Sequence, residues 1–590
     1  MSAHIGKGSI RPGWPFHSTI GLLNCLGAAF FFLQPITAQV NTCLLIGIAL
    51  DSESQAIANA ELTILRIGTN ETFQALTDER GDYRAGGLPV GEYRLRLEHV
   101  GFRTEVRRGV VLQLGQTHRQ DFLLHAGLPA EVFESEAETS LLNAEKTEMG
   151  QVIDRKQLED MPINSRDFTE LATLAPGTAP ASSTSSFSSA LGNIRVGGMR
   201  ERDNITYVDG SIVPSFSNFK PSVDALQEFE VKTGLYGADY GILPGGQIVA
   251  VTKSGGNELH GNVFWFHRND NLDARNFFEH EKQEFKRNQL GGTLGGPVYL
   301  PGLINGKDTA WFFASYQLEL VREIRPLTGV VPTAEEKSGH FSSTILDPLT
   351  GNPFPNHAIP KDRFDPVSRK LLTFWPDPNT AGALNYTSPD SSAPFDNPQL
   401  IARMDLKTSE TSKWSGRFLW NSGPYLSIHP FSEFSSTQPL HTYGQSISNQ
   451  RSLSTGIQNV ASVHWTRRPY DAGISSPKTE IVQSLGVPEL LEEEVDRTGV
   501  PTIEIQGFTG IGDISLLGRS VTGNWQVKDD VSLQKGRHNI KAGVEFRQHY
   551  LFLAMSRRSK FDFFDRYTGN GFADFLLGYP ARSTSGGESL

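Results

Sequence analysis

The sequence predicts a mainly β protein whose second half is a partial antiparallel transmembrane β-barrel. Three observations predict it. From Gly255 onward, segments alternate apolar and polar residues with period two, tryptophans sit in or beside those segments, and the longest apolar run, residues 20–33, lies at the start of the chain. Side chains along a strand point to opposite faces in turn, so one face can meet lipid while the other meets water.

Residues 538–550 carry the clearest alternation. Ile540, Ala542, Val544, Phe546 and Tyr550 are apolar, while Asn539, Lys541, Glu545, Arg547 and His549 are polar or charged. In 309–321, Phe312, Ala314, Tyr316, Leu318 and Leu320 oppose Ser315, Gln317 and Glu319. In 400–407, Leu400, Ala402, Met404 and Leu406 oppose Arg403, Asp405 and Lys407. In 413–420, Trp414, Phe418 and Trp420 oppose Lys413, Ser415 and Arg417, and 525–533 repeats the pattern more weakly around Asp529.

A soluble sandwich alternates too. The aromatic positions tip the balance toward membrane, because Trp265, Trp311, Trp414, Trp420, Trp465 and Trp525 are placed where rings settle at a lipid boundary. Lipid leaves bare backbone groups unsatisfied, which forces such strands to close on themselves. The Pro- and Asn-rich stretches 348–398 and 421–450 then become long outer loops. Plugged barrels use roughly 22 strands, whereas alternation defends about eight or nine here. The barrel is therefore expected to be incomplete over 257–590, a truncated product whose two open edges keep this chain alone from inserting stably.

The first half divides by composition. With 58 Gly, 33 Pro and 20% charged residues in 590, the chain is too long for one domain and too mixed for disorder. A net charge of −11 and no concentrated basic face exclude nucleic acid as a partner. Lys7, Arg11, the apolar run 20–33 and a cleavage site after Ala38 make residues 1–38 a secretory signal peptide. The run is shorter than the roughly 20 residues that span a bilayer. Cys25 leaves with that signal, so Cys43 has no partner for an intrachain disulfide. Neither cysteine follows the small residue that lipid attachment needs.

Residues 43–125 alternate short β segments with turn glycines and predict a small β-sandwich. Residues 126–149 are acidic and poor in aromatics, which predicts an extended linker. Within it Ala130, Glu131, Val132, Phe133 and Glu134 form a short alternating segment able to add as an edge strand to a partner's sheet. An ordinary solvated linker fits the same residues. Residues 150–256 become mixed α and β. Asn164 or Ser165 is positioned to cap a helix bearing Phe168, Leu171 and Leu174, a second short helix starts after Ser222, and 229–233 follows as a strand. Gly197, Gly198, Gly245 and Gly246 permit close backbone approach, Asp209-Gly210 signals a hairpin, and Arg195, Arg200 and Arg202 are candidates to pair with carboxylates on a barrel's inner wall.

Two ordered motif series carry resemblances. Thr77-Asp78-Glu79-Arg80-Gly81-Asp82-Tyr83, then Leu88-Pro89-Val90-Gly91-Glu92-Tyr93 and Gly101-Phe102, resemble the carboxypeptidase regulatory-like domain, a prealbumin-like sandwich grouped with carbohydrate-binding folds. A passive spacer competes there with a sugar-binding site. Ile194-Arg195-Val196-Gly197-Gly198-Met199-Arg200, Val208-Asp209-Gly210, 223–231, 236–241 and 245–256 resemble the plug of TonB-dependent outer-membrane receptors. The order of sandwich, α/β plug domain and barrel is similar to the Oar-like branch.

The resemblance implies an outer-membrane receptor or transporter embedded in outer-membrane lipid, taking up a scarce oligosaccharide, peptide or chelate. It implies a TonB-type energy-transducing protein as partner, pulling near residues 130–134 to rearrange the plug. The alternative is an adhesion or envelope-organising protein that binds glycans without transport. The residues themselves give no catalytic, metal or cofactor site: none of the 15 histidines begins a His-x-x-Glu pair, and no His-Glu-x-x-His occurs. Gly302–Asp308 lacks the spacing of a phosphate loop, and the glycines of 291–296 are expected to be turns or bulges. The ligand is not identified by the sequence.

Overall fold

The computed structural model describes residues 42–589, apart from 137–147, 181–193, 214–218, 278–281, 389–393, 474–478, 491–498 and scattered single or paired positions. The signal expected at 1–38 lies outside the described residues.

The first unit is a two-sheet sandwich. β1 (Thr42–Asp51) pairs with β4 (Asp82–Pro89), β7 (Thr117–Arg119) and β8 (Phe122–Leu124). The second sheet runs β3 (Thr72–Leu76), β2 (Glu61–Arg66), β5 (Gly91–Glu98), β6 (Thr104–Leu112) and β9 (Val132–Glu136). Alternate residues of β2 and β5 turn inward, so Leu62, Ile64, Tyr93, Leu95 and Leu97 reach zero exposure. Tyr93 donates its hydroxyl to Pro89 O at 2.5 Å, which satisfies the polar tip of a buried ring. Not every glycine of this unit is a turn glycine: Gly86 and Gly87 lie inside β4, with Gly87 at φ +74°.

A second correction concerns residues 130–134. They are not a free linker segment, because β9 begins at Val132 and pairs in parallel with β6 of the chain's own sandwich, Thr104 with Val132 through Arg108 with Glu136.

The second unit is a five-stranded sheet in the order β10 (Met149–Ile153), β15 (Leu226–Gly234), β16 (Gln247–Thr252), β13 (Ile205–Val208) and β14 (Ser211–Ile212). β11 (Thr178–Pro180) and β12 (Ile194–Val196) form a separate pair. The segment Phe168–Leu174 is a 3-10 helix capped by Asp167, whose side chain accepts from Thr169 N, so Ser165 is not its cap and Leu174 points to solvent; Asn164 lies outside the described residues. The turn after Ser222 lasts three residues and Leu226 already belongs to β15.

The third unit is one antiparallel sheet of ten strands in chain order. It runs β17 (His260–Asn269), β18 (Phe285–Pro297), Ala310–Glu323, Phe395–Ser409, Ser412–Ser427, Ser436–Ser454, Ile457–Ala472, Leu516–Lys535, His538–Arg557 and the short Gly587–Ser589. The barrel is not closed. Its faces are inverted relative to a soluble sheet. Outward residues are apolar and exposed, with Val263 at 93%, Trp265 at 70% and Phe546 at 63%. Inward residues such as Gln317, Gln399, Asn421, Thr442, Thr466 and Gln526 are polar and buried. That inversion is what lipid outside and a filled polar interior require.

Several expectations change here. Residues 421–450 are mostly strand, forming a hairpin with only 428–435 between its arms. The Gly-rich 291–296 lies in regular register within β18, where a Cβ on Gly291 would fall 2.3 Å from Tyr316 O. Trp311 faces inward at zero exposure and donates to Asn257 Oδ1 at 2.8 Å, so it is no boundary ring.

Connections at one end of the sheet are short and at the other long. At the second end the described parts of 324–394, 428–435, 473–515 and 558–586 are not open loops. They share one core in which Trp375, Phe572, Phe575 and Leu576 pack with Val331, Ile345 and Val482. The helix Gly571–Leu577 is capped by Asn570 and closed by Gly578 in the left-handed region at φ +75°.

Candidate functional site

The second unit sits inside the curved sheet, and the site is the surface where it meets the wall. Val208-Asp209-Gly210-Ser211 makes a two-residue hairpin with φ +46° at Asp209 and +80° at Gly210, as a primed turn demands. The hairpin points the Asp209 carboxylate at the wall. Asp209 accepts from Thr252 N at 2.9 Å and Thr252 Oγ1 at 2.7 Å, and it pairs with Arg417 at 2.9 Å and Arg403 at 3.7 Å. Arg417 also donates to Val208 O, and Arg403 donates to Thr252 O at 3.1 Å. Asp405 holds Arg403 through two bonds of 2.9 and 3.1 Å. Two guanidinium groups thus meet two carboxylates, so the cluster is balanced, and buried charges persist only when so compensated.

Around this cluster the contacts remain polar. Gln526 brackets the hairpin backbone, accepting from Ile212 N and donating to Gly210 O, each at 3.3 Å. Asn262 donates to Asp224 Oδ1 at 2.9 Å, while Arg166 pairs with Asp224 and lies over the Phe266 ring at 3.7 Å. One small apolar patch interrupts them, where Phe219 and Ala225 meet Phe313, Ile401 and Leu419.

The sandwich closes the short-turn end. Glu71 bridges Arg66 at 3.0 Å and wall residue Lys413 at 3.0 Å. Burial pushes the Glu71 carboxyl up, but Lys413 and Arg66 outweigh that and hold it at about 2. Gln450 donates to Gly87 O at 2.6 Å and Asn70 to Asp308 at 3.1 Å. Toward the second unit the chemistry is different. Ile205, Tyr207, Val249 and Val251 join the sandwich's own apolar core. At its margin the buried Glu228 carboxylate accepts from Leu114 N, and burial raises it to about 8, with Glu230 adding to the shift against the Leu114 bond.

The residues singled out from the sequence divide in two. Gly197 and Gly198 adopt φ +60° and +76°. Cβ atoms on Gly245 and Gly246 would sit 2.5 Å from Asp203 O and 2.6 Å from Val196 Cγ2. Asp209 and Gly210 make the hairpin. The arginines are a correction: Arg195 is exposed on β12, and Arg200 is exposed at the start of a short turn where its backbone N donates to Asp203. Arg202's side chain lies outside the described residues. The ion pairing runs the opposite way, from an inner-unit carboxylate to wall arginines. Arg403, Arg417, Asp405, Gln526, Glu71, Lys413 and Glu228 were not singled out as partners. Inward register marked the wall residues as lumen-facing, but nothing local named what they touch.

Residues 130–134 lie on the sandwich edge. Arg103 pairs with Glu131 at 2.7 Å, Arg108 pairs with Glu134, and Thr104 Oγ1 donates to Pro129 O at 2.8 Å. The side chains of Val132 and Phe133 remain exposed.

Comparison with known proteins gives three family matches in chain order. A carboxypeptidase regulatory-like domain matches residues 45–125, a TonB-dependent receptor plug domain 144–246, and an outer membrane beta barrel domain 251–589. The TonB-dependent transporter Oar of Myxococcus xanthus is 29% identical over 318 residues, half of this chain and 28% of that protein's length. Among solved structures, the outer membrane transporter YddB of Escherichia coli aligns with TM-score 0.42 at 11% identity, over 75% of this chain and 52% of its own. A mutant of the ferric enterobactin receptor PfeA of Pseudomonas aeruginosa aligns with TM-score 0.39 at 13% identity, over 69% and 49%.

Proposed function

The chain belongs to the outer membrane beta barrel family as an Oar-like TonB-dependent receptor of the outer membrane, and on that footing we propose that it works as an energised transporter for a scarce nutrient. The family is one of receptors and transporters rather than enzymes. The observation that carries the proposal is the plug: a unit with its own sheet sits in a polar lumen and meets the wall mainly through hydrogen bonds and balanced ion pairs, which water can replace. A permanent apolar seal would serve a purely structural barrel better.

In this reading the signal ends at Ala38, the sandwich spans 43–125, the coupling linker 126–149, the plug 150–256 and the barrel begins at 257. The cargo is an oligosaccharide, peptide or chelate, the partner is a TonB-type protein, and residues 130–134 are where it engages. Removing residues 130–134 from the full-length gene tests this. Energised uptake, screened with labelled members of the three cargo classes, should vanish while surface display persists. Unchanged uptake would overturn the assignment of residues 130–134 as the coupling segment, and absence of energised uptake by the intact protein would overturn the transporter reading. A protein that only adheres to glycans through its folded outer cap would keep its binding after the same deletion.

A further inference from the structure

The sandwich touches two neighbours with opposite chemistry. Against the plug it shares an apolar core: β13 and β16 send Val208, Ile248 and Ala250 into the plug's own interior and Ile205, Tyr207, Val249 and Val251 into that of the sandwich. The plug sheet is therefore sandwiched on both faces. Against the wall the contacts are polar: Glu71 with Lys413, Gln450 with Gly87, Asn70 with Asp308, and Asn257 N with Gly68 O at 2.7 Å. The plug meets the wall in the same polar way around Asp209, with one small apolar patch where Phe219 and Ala225 touch Phe313, Ile401 and Leu419. Separating the first interface exposes apolar surface to water, an unfavourable transfer. Separating the second exchanges protein hydrogen bonds for water ones, which is nearly balanced.

We infer that the N-terminal sandwich and the plug are one mechanical body, and that the polar seam around it is the surface that parts when the lumen opens. The inference deepens the transporter reading and rests on it for its purpose. It gives the sandwich a role beyond that of a spacer, since β9 stitches residues 130–134 to its sheet and a pull there is delivered to this body. The sandwich also covers the short-turn mouth, so it has to leave together with the plug.

Two cysteine pairs separate the possibilities, placed in the full-length gene product with Cys43→Ala and reconstituted in lipid nanodiscs. Glu71→Cys with Lys413→Cys locks the seam, and Leu114→Cys with Glu228→Cys locks sandwich to plug. Force is applied through a handle at the mature N-terminus. The seam lock should abolish the first rupture when oxidised and restore it when reduced. The sandwich–plug lock should leave that rupture unchanged. A first rupture that the sandwich–plug lock suppresses would mean that the sandwich peels away alone and would overturn the inference. So would a rupture insensitive to both locks, which would report a domain unravelling in place. As a variant without any crosslink, Glu71→Gln should lower the rupture force, and no change would count against the seam. Absence of energised uptake by the intact protein would strike the transporter reading and leave this measurement standing.

Discussion

Asp209→Asn removes one charge from the centre of the plug–wall contact and almost no volume. The structure sets the size of the effect. With Asp209 neutral, Arg403 and Arg417 face Asp405 alone, leaving one buried positive charge uncompensated. Breaking a buried pair by removing one partner costs about 3–5 kcal/mol. The amide oxygen can still accept from Thr252 N, so we expect about 2–4 kcal/mol, or roughly a 30- to 1,000-fold rise in the undocked population. Amide hydrogen exchange over 205–212, in the full-length protein in lipid, reads that population. Arg417→Met leaves the opposite imbalance, one excess carboxylate, and the double variant restores neutrality through Arg403 and Asp405. The double variant should therefore lose much less than the two singles summed. A coupling below about 0.5 kcal/mol would refute the argument that a balanced charge cluster latches the plug.

Two carboxylates give pH dependences of opposite sign. Glu71 is held below its unfolded value of 4.5, so its contribution is present above that pH and disappears as the pH falls through about 2; the lost docking stability is about 3 kcal/mol, and Glu71→Gln should abolish the dependence in a cysteine-accessibility assay at the sandwich–wall seam. Glu228 is held above its unfolded value, so its contribution is complete below pH 4.5 and is lost as the pH rises through about 8. Glu228→Gln should leave the sandwich–plug interface tighter than wild type at pH 9, measured by exchange at Leu114 N, and an interface loosened at every pH would refute the assignment. Val463→Lys places a charge on the outer face midway along Ile457–Ala472 and should cost about 2–4 kcal/mol in lipid refolding, whereas an equal substitution on a water-facing sheet would be nearly neutral.

Alternation made the outer face legible because lipid demands one property, apolarity, at every second position. Phe312, Met404 and Trp414 all obey it. The inner face obeys no such single rule. Along Ser436–Ser454 the buried inward residues include Ser436, Gln438, Leu440, Thr442 and Ser446, a mixture that reads as loop text although it is strand throughout. Glycine hid β18 in the same way. There the tight approach of Tyr316 O to Gly291 excludes a side chain, so the residue signals a turn while serving a ladder. The outer connections were legible as long but not as folded, since their shared core joins Trp375 to Phe572 and Phe575 across nearly 200 residues of chain.

The plug's latch was half legible, for a reason rooted in electrostatics. A glycine needed at φ +80° and an Asp before it announce a hairpin by local geometry alone, which fixes where Asp209 points relative to its own backbone. Which partner it meets depends on the wall, and Coulomb attraction is indifferent to which side carries which sign. Arg195 and Arg200 offered as good a sequence case as Asp209, yet a pairing requires inward placement on both sides, and β12 turns Arg195 outward. The same logic applies to residues 130–134. Their alternation announced a strand seeking an edge, and β6 of the neighbouring sandwich, joined by 19 residues of chain from Gln113 to Glu131, is the open edge of its sheet, with Arg103 and Arg108 set to receive Glu131 and Glu134. A partner that uses this segment must compete with that intramolecular pairing or build upon it. Reversing Arg103 and Arg108 to glutamate should therefore raise exchange at Val132–Glu136 without altering Leu62 or Ile64 in the core, and unchanged exchange would show that the backbone ladder alone holds the strand.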